Sequence, residues 1–397
     1  GNIKYKGDFK NDTIEGKGIL YYENGNIKYK GDFKNDTIEG KGELYDLNEI
    51  ILYKGNFYNG VPKGKGQYYK NGKVYYKGDV YNNKMEGYGT LYHENGNINY
   101  IGEFIDNKFE GKGKLYDKNE KIILEGDFIN HEPKNITLYN LKGKIIYKGE
   151  YIDLFGEDDL KEKGTTNYQN LNIKKGKNNI LEKKKGTLYY ENGNKEYDGY
   201  FIEGKFGGKG ISYYENGNKK YEGDFVEGKL KGISYYKSGK IKYKGCFLNG
   251  KFEGEGIAYY ENGNKRYEGN FVNGKFEGEG IAYYENGNKV YEGNFVNNDF
   301  EGEGILYNEN GNKIYEGNFV NGKFEGEGIL YYESGNKVYE GNFVDDDFEG
   351  EGILYNESGN KSYEGEFKKG LPNGKRKEYY ENEVIKNEGY FYDGEII

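Results

Sequence analysis

The sequence predicts an all-β chain, an elongated single-layer antiparallel β-meander repeat array of about sixteen 24-residue units. Three observations predict it: a fixed period, a period-two alternation inside each period, and a turn signal at its ends. The block YEGNFVNGKFEGEGIAYYENGNKR begins at Tyr267, and YEGNF returns at Tyr291, Tyr315 and Tyr339. The same opening reads YKGDF at Tyr5 and Tyr29, YKGNF at Tyr53 and YEGEF at Tyr363. A period of this size marks a repeat architecture, in which each unit buries its apolar face only against its neighbours.

Within the unit from Tyr267, Tyr267, Gly269 and Phe271 fall on one face and Glu268 and Asn270 on the other, which is strand periodicity. Val272-Asn273-Gly274-Lys275 turns the chain, since Asn-Gly tolerates positive φ and is a strong hairpin signal. A second strand, Gly278–Tyr284, follows, and Glu285-Asn286-Gly287-Asn288 turns back into Tyr291. Two strands per unit therefore make a continuous meander.

The openings stand at Tyr5, Tyr29, Tyr53, Tyr76, Tyr100, Leu124, Tyr147, Tyr197, Tyr221, Tyr243, Tyr267, Tyr291, Tyr315, Tyr339 and Tyr363, with a degenerate one at Asn387. The interval from Tyr147 to Tyr197 holds about two periods without the turn chemistry. It carries acidic Asp153–Asp159, then Lys174–Lys177 and Lys183–Lys185. The expected organisation is an N-terminal array over 1–150, an irregular decayed repeat with a loop excursion over 151–186, and a C-terminal array over 187–397. A second weak point is Lys229–Ile233, where paired glycines shrink to Gly232.

Composition fits a thin sheet. The chain has 66 Gly and 47 Tyr but no Trp, and 34% hydrophobic residues is little for a thick core. Glycine inside a strand leaves backbone uncovered, and a Tyr ring from a neighbouring strand can lie over that gap. The paired glycines, such as Gly254 and Gly256, are expected to seat those rings.

Charge is uneven. Residues 1–200 hold 33 Lys+Arg against 31 Asp+Glu, a net of +2, and residues 201–397 hold 25 against 36, a net of −11. The acidic second half argues against a nucleic-acid partner and disfavours membrane lipid. Cys246 is the single cysteine, so no intrachain disulfide forms. No apolar run approaches the ~20 residues of a spanning helix.

The pattern Tyr-x-Gly-x-Phe, then Gly-x-Gly, then an Asn-Gly turn resembles the MORN repeat over nearly the whole chain, from Tyr5 to about Gly389. Tyr-Tyr-Glu-Asn-Gly-Asn, as at Tyr259–Asn264, is similar to bacterial MORN-variant proteins, some of them antitoxin-like. The resemblance implies an elongated single-layer β array, often an antiparallel dimer, that serves in protein scaffolding. The chain departs from it in a period longer than the commonest family spacing, and in Phe where Trp is frequent.

No nucleophile–base–orienter set is present, so no enzyme activity and no catalytic residue is expected. His93 and His131 lie far apart without accompanying ligands, and Cys246 reads as a passive strand residue. Gly-x-Gly recurs without a following helix, which removes a phosphate cradle. Asp345-Asp346-Asp347 reads as a solvated turn. No cofactor and no metal are expected.

One pattern stands out. The residue between paired glycines is Lys17, Lys41, Lys65, Tyr88, Lys112 and Lys209 early, and Glu255, Glu279, Glu303, Glu327 and Glu351 later. Two positions on stand Ile257, Ile281, Ile305, Ile329 and Ile353, and two further Tyr259, Tyr283, Tyr307, Tyr331 and Tyr355. Two readings of this Glu-x-Ile-x-Tyr ladder stand: the better-packed side of the sheet, or an acidic-aromatic protein-binding face. The expected function is a non-enzymatic protein-binding surface or scaffold, with a protein partner of basic character, in a surface-exposed or secreted setting. The alternatives are an intracellular antitoxin-like protein that binds and inhibits an enzyme, and a self-associating scaffold; a homodimer is compatible with either.

Overall fold

The computed structural model describes residues 4–151, 183–226, 229–392 and 395–396. Among them every regular element is a strand, and no helix is long and apolar enough to cross a membrane. The chain forms two compact units, Gly1–Phe206 and Gly207–Ile397.

In the first unit the strands run from Tyr5–Lys10 to Lys195–Ile202, and each pairs antiparallel with the next in sequence. This is the expected meander. The strands Ile145–Glu150 and Lys184–Tyr189 pair through Tyr147↔Leu188 and Gly149↔Gly186, the partners that the opening Tyr and its Gly take elsewhere. The Tyr–Gly phase therefore resumes by Lys184. Of the interval expected to be irregular, residues 152–182, with Asp153–Asp159 and Lys174–Lys177, lie outside the described residues.

In the second unit the same meander continues from Lys219–Val226 to the terminal pair Ile385–Tyr392 and Glu395–Ile396. The short glycine segment at Lys229–Tyr235 still pairs on both sides, with Gly232 opposite both Gly223 and Gly245.

Two kinds of turn alternate. At one end of the strands Asn273 (φ 54) and Gly274 (φ 83) make a two-residue hairpin that needs positive φ at both positions. At the other end the Gly287 amide donates to the Tyr284 carbonyl at 3.0 Å and the Tyr284 amide to the Asn288 carbonyl at 2.8 Å, with Gly287 at φ 95. Glycine suits this slot because the chain reverses through the left-handed region, although Glu49, Glu120 and Glu383 take the same turn at φ 59–62.

The core occupies one face of the sheet. Tyr267, Tyr291, Tyr315 and Tyr339 are fully buried, as are Phe271, Phe295, Phe319 and Phe343 to within 1%. The opening tyrosines Tyr267, Tyr291, Tyr315 and Tyr339 lie on their own sheet. A Cβ built on Gly293 or Gly304 would fall on the Tyr291 ring, and one on Gly269 or Gly280 on the Tyr267 ring. Each ring thus sits on the glycine of its own strand and on the second glycine of the next pair. The first glycine of a pair, expected to seat a ring too, does not, since Gly254 and Gly278 take positive φ (64 and 66) with nothing within 4 Å of an added Cβ. The ring is then sandwiched: Tyr291 stacks on Phe300 at 4.0 Å and meets Phe295 and Phe319 edge-on at 5.1 Å each. Such pairs contribute about 0.5–1.5 kcal/mol beyond the area they bury. A thin sheet of low hydrophobic content thus makes a continuous core from aromatic rings laid flat on glycine backbone.

Candidate protein-recognition face

The register decides where the ladder lies. Ala258 faces Tyr267, whereas Ile257 faces Glu268 and Glu255 faces Asn270. Side chains alternate along a strand, so the Glu-x-Ile-x-Tyr residues project from the face opposite the tyrosine core. The five copies are alike: Glu255, Glu279, Glu303, Glu327 and Glu351 are exposed, and the five Ile and five Tyr of the ladder are half-buried. Their burial comes from neighbours on the same open face, since the core rings lie on the other side.

Those neighbours form a second, polar ladder. Ile281 stands between Glu268 and Glu292, and Ile305 between Glu292 and Glu316. Each of these glutamates is paired with the lysine three residues earlier, Lys289–Glu292 at 2.6 Å and Lys313–Glu316 at 2.8 Å. The ladder tyrosines donate to the same carboxylates, Tyr331 to Glu316 at 3.1 Å and Tyr355 to Glu340 at 2.9 Å. Hydrogen bonds from Lys313 and Tyr331 hold the Glu316 carboxyl below the usual range, and Lys337 and Tyr355 do the same for Glu340. By contrast Glu255, Glu279, Glu303, Glu327 and Glu351 have no cation within 4.0 Å among the described residues. The face therefore presents a row of unpaired carboxylates beside a row of Ile and ion-paired Glu.

In the first unit the corresponding positions carry different chemistry. Lys17, Lys41, Lys65, Tyr88 and Lys112 are exposed between their glycines, and Ile19, Glu43, Gln67 and Thr90 are half-buried beside them.

Sequence reasoning missed how the turns are tied together. The side-chain amides of Asn286 and Asn288 both donate to the Glu309 carbonyl, at 2.7 and 2.8 Å, and the Tyr284 hydroxyl donates to the Tyr307 carbonyl at 3.0 Å. At the other edge the Asn297 amide donates to Glu277 at 3.0 Å and the Phe276 amide to Asn298 Oδ1 at 2.8 Å. Each turn thus caps the next one along the array. The signal was present, because Glu277 and Asn297 recur 20 residues apart as Glu301 and Asn321, also bonded at 3.0 Å.

The histidines take up these turn positions. His93 Nε2 lies 3.1 Å from the Tyr116 carbonyl, where other units place a tyrosine hydroxyl. His131 Nδ1 accepts the Phe109 amide at 3.1 Å, as Asn298 Oδ1 does for Phe276. Asp346 fills the same slot, accepting the Phe324 amide at 2.7 Å, and Asp345 pairs with Lys323 at 2.8 Å. Cys246 is half-buried in the strand Ile241–Leu248 and free.

The model of the MORN repeat matches at residues 5–27, 29–46, 53–74, 76–98 and 100–120. Residues 5–120 are a run of MORN repeats. A second family model, described as periplasmic copper-binding protein (NosD), matches residues 191–393, about half of the chain, and by that match this stretch belongs to that family as well. Its strands nevertheless carry the same antiparallel Gly–Tyr units as the MORN array before it. Copper takes imidazole, thiolate or thioether ligands. Residues 191–393 contain no His, no Met and only Cys246, and no group of three potential ligands exists among the described residues. The residues present do not fit that metal.

No curated protein matches the chain. Among solved structures it is similar to the crystal structure of TcdB2-TccC3-TEV, at 11% identity and a TM-score of 0.15 over 92% of this chain and 22% of that one. It is also similar to the Photorhabdus luminescens Tc holotoxin pore with mutation TccC3-D651A, at 10% identity and a TM-score of 0.15 over 95% of this chain and 23% of that one. The chain spans about a quarter of the length of these structures.

Proposed function

We propose that this repeat protein is a non-enzymatic binding protein, and that the open face of its second unit recognises a protein partner of basic character. One observation carries this reading. Five successive units repeat an exposed Glu, a half-buried Ile and a half-buried Tyr on the face that the core does not use. Packing explains the rings on the other face, but it does not require isoleucine here five times. Ile and Tyr rimmed by carboxylates are the materials of a protein interface.

The ladder repeats every two strands, about 10 Å. Equivalent weak contacts at that pitch compound through effective concentration, so an elongated partner gains from each added unit. The unpaired carboxylates supply electrostatic steering that fades over a Debye length of about 8 Å.

The experiment is charge reversal at three successive units. The variant Glu279→Lys/Glu303→Lys/Glu327→Lys is expected to keep its β circular dichroism and to lose the proteins that the unaltered chain retains selectively at low salt. Retention of the same proteins by the variant would refute the proposed face.

A further inference from the structure

We propose a second binding site, on the open face of the first unit, for an extended acidic polypeptide segment. It lies apart from the ladder of the second unit and does not depend on the reading given above. A groove of about 910 Å³ runs across the strands from Tyr5–Lys10 to Val61–Lys70. Its floor is backbone, a band through Gly7, Gly18, Gly31, Gly42 and Gly55 whose other side is covered by the core tyrosines.

Two rows of lysine flank the band. Lys6, Lys30 and Lys54 stand on one side, and Lys17, Lys41 and Lys65 on the other. The carboxylates in the groove are Asp32 and Glu43, and Glu43 is already paired with Lys54 at 2.8 Å. Lys65 is paired with Asp79 at 2.7 Å. Lys6, Lys17, Lys30 and Lys41 have no carboxylate within 4.0 Å among the described residues. The groove therefore holds an excess of unneutralised positive charge, while the corresponding positions of the second unit carry glutamate.

The geometry selects the occupant. Within each row a lysine recurs every two strands, about 10 Å, and an extended chain advances that far in about three residues. Carboxylates at every third residue share one face of a polyproline-II segment, which turns once in three residues and rises about 3.1 Å per residue, and would meet successive lysines. The rows are two residues apart along each strand, about 7 Å, which admits one extended chain and excludes a nucleic-acid duplex. No aromatic ring lines the groove, so the stacking that holds single-stranded bases is missing.

The test uses the full chain and three fluorescent probes measured by polarisation. The first is a Gly-Ser peptide with glutamate at every third residue, the second has the same glutamates clustered at one end, and the third is a single-stranded oligothymidylate. The spaced peptide is expected to bind at least about tenfold more tightly than the other two, and to weaken as salt rises to about 0.3 M. In Lys17→Glu/Lys41→Glu/Lys65→Glu that affinity should fall at least about tenfold, and Lys17→Gln/Lys41→Gln/Lys65→Gln should fall between, both with unchanged β circular dichroism. Equal binding of the clustered peptide, preference for the oligonucleotide, or undiminished binding by the charge-reversed variant would each overturn the proposal. So would failure of the spaced peptide to bind the unaltered chain.

Discussion

Replacing Tyr315 with alanine is expected to destabilise the second unit by about 3–5 kcal/mol, the range for removing a large buried aromatic. Tyr315 is fully buried over Gly317 and Gly328, stacks on Phe324 at 3.9 Å, and meets Phe319 and Phe343 edge-on at 5.1 Å. Its hydroxyl donates to the Asn318 carbonyl at 3.2 Å. Alanine would leave two bare glycines under an empty space and strip three phenylalanines of a partner. A sheet that packs only along its length passes such a defect to its neighbours, so hydrogen exchange should quicken in the strands Lys313–Val320 and Lys323–Tyr331 together. Tyr332→Phe, which removes one hydroxyl bonded to the Tyr355 carbonyl, should cost only about 1 kcal/mol. Thermal unfolding of the two variants checks the difference, and equal losses would place the core elsewhere.

The second large effect is alkaline unfolding. Burial pushes the Tyr267, Tyr291, Tyr315 and Tyr339 hydroxyls up to about 12. An unfolded tyrosine ionises near pH 10. Below that pH both states hold the proton and the full stability is present. Above it only the unfolded chain ionises, and stability is lost as pH rises toward the folded value. A shift of this size is on the order of 2–3 kcal/mol for each ring, and four rings together reach the scale of a whole domain's stability. The β signal should therefore collapse cooperatively between about pH 10 and 12, with the tyrosinate absorption of the buried rings appearing in the same transition. Smooth titration of all the tyrosines near pH 10 with the sheet intact would contradict the packing described.

Much of this fold was legible because the forces that build it are local and repeated. The Tyr-x-Gly-x-Phe alternation places Tyr267 and Phe271 on one face, and the structure buries both there. Asn273-Gly274 turns as its chemistry demands. The seating of Tyr267 on Gly280 followed from the need to cover bare strand backbone. The ladder residues were found as a pattern, yet their side of the sheet stayed open to two readings. Ile281 and Phe276 are both apolar, and only the pairing of Ala282 with Tyr267 and of Ile281 with Glu268 shows which face holds the rings. The turn-to-turn bonds were hidden for another reason. They join residues 20 to 23 apart, and polar turn residues are ordinarily satisfied by water or by their own loop. Nothing in Asn286 alone announces that its amide reaches Glu309. The lysine groove was visible as Lys17, Lys41 and Lys65, but the second row with Lys6, Lys30 and Lys54 needed the register to bring it alongside.

The most direct measurement of the central claim is stability and partner capture together for Ile281→Lys/Ile305→Lys/Ile329→Lys. If the open face serves recognition, each change should cost no more than about 1 kcal/mol, because the half-buried isoleucines support no core ring and a lysine stem covers similar surface. The β spectrum should then persist while retained partner proteins disappear, and Thr90→Lys in the first unit should leave capture unchanged. A triple variant that unfolds would show the stripe to be core, and one that stays folded and still captures its partner would remove the ladder from recognition.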